Sequence, residues 1–198
     1  MLGILGGMGP LATADFFAKL VAATPAHADE AHIPTLILSD PRIPPRPPAI
    51  LGKGESPLPA LLAVRDRLLE SGATMLAMPC NTAHFWYADL VAGCAVPFVS
   101  IIESACGELA TRAASGDRVA VIATRATLAT RLYEDRLRAL GYVPLLPDEG
   151  AMHDVITPAI ERVKGGQAEA GGRLLAPYVE HLLNQGVSAV LLACTETP

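Results

Sequence analysis

Charge is scarce in this sequence. Only 18% of its 198 residues are charged, and the balance is mildly acidic at −5. Such a chain builds no basic stripe, and aromatics at 5% supply few stacking platforms, so nucleic acid is excluded as a partner. Long apolar runs are missing too: Pro, Gly or charge interrupts each one before it reaches the length of a membrane span. Without a basic N-terminal segment or a cleavage site, the start of the chain does not read as a signal peptide, and the expected location is cytoplasmic. The four cysteines, at positions 80, 94, 106 and 194, contain no C-x-x-C pair. Free thiols are therefore expected, and structural zinc is not. Lysine occurs only at 19, 53 and 164.

Short apolar runs alternate with amphipathic ones. Leu2–Leu5 precedes a helical stretch over 11–23, Pro34–Leu38 precedes 58–70, Thr74–Met78 precedes 82–92, and Phe98–Ile102 precedes 103–114. The alternation resumes at Val119–Ala123 and predicts βαβ units with parallel sheets. Residues 39–57, "SDPRIPPRPPAILGKGESP", form a Pro/Gly-rich loop too long to be only a connector.

The pattern is duplicated. "LLESGATMLAMPCNT" from Leu68 and "LLNQGVSAVLLACTE" from Leu182 share two leucines, a glycine and a cysteine at a constant offset of 114. "LGILGGMGPLATADFF" from Leu2 likewise matches "VAVIATRATLATRLYE" from Val119, and "PAI" and "KG" recur between these blocks. Four matches in one order predict two pseudo-symmetric α/β lobes, 1–115 and 116–198, each a parallel sheet flanked by helices, with an active site in the cleft between them. The second copy stops soon after its cysteine, so the final strand and helix of that lobe are expected at roughly 211–229, beyond the given chain.

Duplication puts Cys80 and Cys194 in equivalent strand-end positions, where open α/β folds hold ligands. Racemisation at a carbon bearing hydrogen needs a base on one face and an acid on the other, and two like groups serve both directions equally. Cysteine suits the task if a helix N-terminus lowers its pKa from about 8.5. Cys94 and Cys106 lack the duplicated context and read as structural. "GGMGPLA" fits the G-x-G-x-x-A variant of the dinucleotide fingerprint, but the nearest suitable acid, Asp40, lies 31 residues after Gly9 rather than about 20. Both strand-helix turns instead read as places where backbone amides approach a small anion. Pyridoxal phosphate needs a Schiff-base lysine. Lys19 reads as a solvated helix residue, and Lys53 and Lys164 suit a carboxylate equally well. No cofactor is expected.

"GILGGMGPLAT", "PPRPPAIL", "PCNTAH" and "ACTE" together resemble the signature blocks of the cofactor-independent aspartate racemases in the aspartate/glutamate racemase superfamily, in order and spacing, over nearly the whole chain. The resemblance implies Cys80 and Cys194 as the acid/base pair. It also implies Asn81, Thr82 and Ala83 around the substrate carboxylate, Met8 lining the pocket, Arg46 and Lys164 on the side-chain carboxylate, and Thr195 beside the second thiol. A homodimer acting on a small acidic amino acid, with no membrane partner, is implied as well. The family's Pro-Asp-Arg reads Pro44-Pro45-Arg46 here. His84 reads as a satisfied surface histidine or a third acid/base, Glu196 as a partner of Cys194 or a solvated acid, and Arg42 as solvated. Alternative functions are a broad-specificity racemase, a dicarboxylate cis-trans isomerase, an inactive amino-acid binder and a nucleotide-dependent oxidoreductase.

Overall fold

The computed structural model describes residues 1–197. They divide into two compact units, Met1–Ile101 and the residues from Ile102 onward. The first unit carries β1 (Leu2–Gly6), α1 (Pro10–Ala23), β2 (Thr35–Ser39), α2 (Arg46–Ile50), α3 (Leu58–Glu70), β3 (Met75–Ala77), a 3₁₀ turn over Thr82–Trp86, α4 (Tyr87–Val91) and β4 (Phe98–Val99), and ends as α5 (Ile101–Leu109) begins. The second carries the rest of α5, then β5 (Arg118–Ile122), α6 (Arg125–Ala129), α7 (Leu132–Ala139), β6 (Val143–Leu145), α8 (Glu149–Ala151), a π turn over Met152–Ile156, α9 (Thr157–Lys164), α10 (Ala168–Asn184) and β7 (Ala189–Leu192).

Both sheets are parallel, with strand order β2-β1-β3-β4 in the first unit and β6-β5-β7 in the second. The order around the first strand is the same in each, as the duplicated sequence predicts. The period of two in β1 sends Leu5 into a core built with Leu61, Val64 and Leu68 of α3, and Leu2 and Ile4 onto Phe16 and Leu20 of α1. One sheet face is thus covered by α3 and the other by α1. In the second unit, Ala120 and Ile122 pack with Met152, Ile156, Ile160, Leu175 and Leu182. There α10 approaches α9 so closely that a Cβ on Gly171 would lie 2.6 Å from Val163 and 2.8 Å from the Ala159 carbonyl oxygen.

Two details differ from the sequence reading. The long loop contains α2, because Pro47 and Pro48 fall in its first turn, where amides need no helical partner. Strand β4 is two residues long rather than running to Ile102. Its ladder partner β3 leads into Pro79, which has no amide to donate, so pairing stops and α5 starts at Ile101. An ion pair between Glu103 of α5 and Arg136 of α7, 2.6 Å, is among the ties that place α5 with the second unit.

Candidate active site

The glycine turn after β1 is held by one side chain. Thr13 Oγ1 accepts from the Gly7 amide at 2.9 Å and donates to the Gly9 carbonyl at 2.9 Å. Gly7 itself has φ +95°, and a Cβ there would sit 2.4 Å from the backbone of Asp40, so only glycine lets the turn approach the end of β2. Asp40 is gripped by the Arg42 guanidinium through two bonds of 2.9 Å, which holds its carboxyl down at about 2. Arg42 is otherwise exposed, as anticipated. Lys19, paired with Asp15, lies in solvent.

Arg46 opens α2 and reaches back to this turn. Its Nη2 donates to the Met8 carbonyl at 3.2 Å, and Nη1 donates to the carbonyls of Ile43 and Pro44, each at 3.3 Å. Its Nε is buried without a hydrogen-bond partner, and no carboxylate is ion-paired with it among the described residues. Met8 itself packs into the core beside Cys80, Ala83 and Ile43.

Cys80 follows β3 and is 5% exposed; Asn81, Thr82 and Ala83 are buried directly after it. The helix expected over 82–92 is split into the 3₁₀ turn and α4. His84 sits at the split. Its Nδ1 lies 2.9 Å from the Cys80 carbonyl oxygen, occupying the acceptor that its own amide would use in an α-helix, and that amide turns to Asn81 O at 3.0 Å. His84 is buried rather than on the surface, and burial lowers its pKa.

In the second unit, Cys194 lies just past β7, 4% exposed. Its thiol donates to Glu196 Oε2 at 3.0 Å, and the Thr195 hydroxyl donates to the same oxygen at 3.4 Å. Thr197 closes the turn, its amide and hydroxyl both bonding the Cys194 carbonyl, at 3.0 and 2.6 Å. A helix N-terminus was expected to lower this thiol's pKa. Instead, burial and then the Glu196 carboxylate push it well above the ordinary range, with Lys164 at the end of α9 pulling the other way. Cys194 is accordingly a neutral thiol here, and of the two readings of Glu196 the bonded partner holds.

The structure thus brings Lys164, Thr195, Glu196 and Cys194 together in the second unit, and Met8, Arg46, Cys80, Asn81, Thr82 and Ala83 in the first. Tyr133 is buried on α7 in the same unit, and burial, then Cys106 and Cys194, raise its pKa. Cys106 is buried in α5, in keeping with a structural role. Among the described residues there is no cluster of side chains suited to a metal ion and no helix long and apolar enough to cross a membrane.

Several known proteins are similar to this chain. The aspartate racemase of Picrophilus torridus superposes with a TM-score of 0.88 at 32% identity, over all of this chain and 81% of that one. The broad specificity amino-acid racemase RacX of Bacillus subtilis (strain 168) is 24% identical across 99% of this chain and 85% of its own length. A glutamate racemase of Beutenbergia cavernae is 32% identical over 148 residues, 69% of this chain and 47% of its own. The model of Asp/Glu/Hydantoin racemases matches residues 5–198, and the chain belongs to that family.

Proposed function

We propose that this protein interconverts L- and D-aspartate without a cofactor, using Cys80 and Cys194 as the acid/base pair. The observation that carries the reading is the equivalence of the two thiols. Each is buried just beyond the third strand of its own sheet in chain order, and the strand order around the first strand is the same in both sheets. Thiolate on one face removes the α-proton while thiol on the opposite face delivers one, and the next substrate of opposite hand meets the reversed pair.

The environments suggest starting roles. Cys194, protonated and bonded to Glu196, is the acid at the outset. When the reaction runs the other way, Cys194 is the thiolate that the preceding turnover left and Cys80 is the thiol. Arg46 supports an acidic side chain on the substrate. Three backbone carbonyls hold the guanidinium in place, and its unpaired Nε–H shares an edge with Nη2, the geometry of a bidentate carboxylate grip. Lys164 adds positive charge beside Cys194. Asn81, Thr82 and Ala83 are proposed to hold the α-carboxylate, with Met8 and Thr195 lining the site.

A broader amino-acid range is the second reading, favoured by similarity to RacX over 99% of the chain. One methylene separates aspartate from glutamate and is worth only about 1–3 kcal/mol of discrimination. By family resemblance we further propose a cytoplasmic homodimer, which sedimentation velocity measures. Chiral chromatography of L-aspartate incubated with the protein, free of pyridoxal phosphate, tests the activity. D-aspartate should form with wild type and not with Cys80→Ser or Cys194→Ser; its absence with wild type, against glutamate formation of the D-form, would move the assignment to the broader substrate range.

A further inference from the structure

The His84 ring has both nitrogens committed to backbone. Nε2 accepts from the Ile101 amide at 3.1 Å, and since an amide can only donate, Nε2 carries a lone pair and the proton sits on Nδ1, which donates to Cys80 O at 2.9 Å. Its face is fixed as well. The ring stacks on Tyr87 with centroids 5.3 Å apart and planes 7° from parallel, and Tyr87 meets Phe98 edge-on while its hydroxyl donates to the Phe98 carbonyl. One neutral imidazole therefore joins the carbonyl of Cys80 to the first amide of α5 and is braced from β4. A ring so engaged has no nitrogen left to exchange a proton with substrate.

We propose that His84 is a positioning residue for Cys80: in its Nδ1–H form it replaces a helical hydrogen bond, fixes the 80–84 turn and thereby aims the thiol. The catalytic consequence rests on the reading of Cys80 as an acid/base group; the structural one does not. Displacing a reacting group by about 1 Å costs on the order of 10²-fold in rate. His84→Ala should lower kcat for aspartate racemisation by about that factor and shift KM by less than about threefold, since substrate contacts are left in place. His84→Asn, which keeps a donor near the Nδ1 position, should recover at least about tenfold of the loss.

A readout independent of turnover is the rate at which iodoacetamide modifies each cysteine, followed by mass spectrometry. Cys80 should react faster in His84→Ala than in wild type as the turn loosens, with Cys194 unchanged. Two-bond ¹H–¹⁵N correlation of ¹⁵N-histidine-labelled wild type, which needs no variant to fold, should show His84 protonated on Nδ1 alone at neutral pH. The Nε2–H tautomer, or a His84→Ala protein with wild-type kcat and wild-type Cys80 reactivity, overturns the proposal. If wild type proves inactive on every amino acid, the racemase reading fails while the alkylation and NMR results still decide the role of His84.

Discussion

Replacing Glu196 by Gln keeps a hydrogen-bond acceptor beside Cys194 and removes the charge. The thiol sulfur lies 3.0 Å from Glu196 Oε2, so forming a thiolate there sets two negative charges side by side. At about 4 Å between charge centres, the repulsion is about 4 kcal/mol at an effective dielectric near 20. Glu196 is only half-buried, and screening by solvent reduces this to about 2 kcal/mol. Glu196→Gln should therefore raise the thiolate fraction of Cys194 by about thirtyfold at any pH below both pKa values. A thiolate of lower pKa is also a weaker nucleophile, and with a Brønsted coefficient of about 0.4–0.5 that takes back a factor of about four to five. The net expectation is a roughly sixfold faster reaction of Cys194 with a small aromatic disulfide, scored at that cysteine by mass spectrometry. Glu196→Asp, which retains the charge, should stay nearer to wild type. An unchanged or slower reaction in Glu196→Gln would refute the claim that the carboxylate holds Cys194 as a thiol.

Arg46→Lys should raise KM for aspartate by about tenfold or more with a smaller change in kcat, because an ammonium cannot present the Nε–Nη2 edge; equal KM values would remove Arg46 from the substrate site. Thr13→Val strips the glycine turn of both its side-chain bonds and leaves the buried Gly7 amide unpaired, at a cost of about 2–3 kcal/mol in urea unfolding; a loss under about 0.5 kcal/mol would mean that the clamp carries no weight. Burial lowers the pKa of His84 in the folded chain, so its neutral form contributes stability that is fully present above the unfolded value near 6.5 and is lost as pH falls through the folded value. The urea midpoint of wild type should therefore drop on acidification by more than that of His84→Gln, and parallel curves would show that His84 contributes nothing to the pH dependence.

The parts of the molecule governed by period and duplication were readable from the chain. Leu2, Ile4 and Leu5 announce a strand buried on both faces; Leu61, Val64 and Leu68 announce the inner stripe of α3. The constant spacing from Gly72 to Gly186 and from Cys80 to Cys194 announces one unit used twice. What escaped depends on where single polar groups find partners. Pro47 and Pro48 look like loop residues until their place in a first helical turn is known. His84 looks like a surface residue at a helix start, because its competition with its own amide for the Cys80 carbonyl leaves no periodic trace. Glu196, two residues after Cys194, faces solvent or the thiol according to a turn that Thr197 closes, and only the folded turn decides. The lowered pKa expected at Cys194 failed for the same reason, since no helix begins there among the described residues and burial and a neighbouring carboxylate raise it.

The central claim, two thiols serving opposite faces of one α-carbon, is tested most directly by Cα–H exchange in D₂O with each single-thiol variant, supplied separately with L- and D-aspartate and followed by NMR. Cys80→Ser and Cys194→Ser should each exchange the α-hydrogen of one enantiomer without inverting it, and the enantiomer should differ between the two variants. Exchange of the same enantiomer by both, or racemisation persisting in either at the wild-type rate, would contradict the two-thiol account.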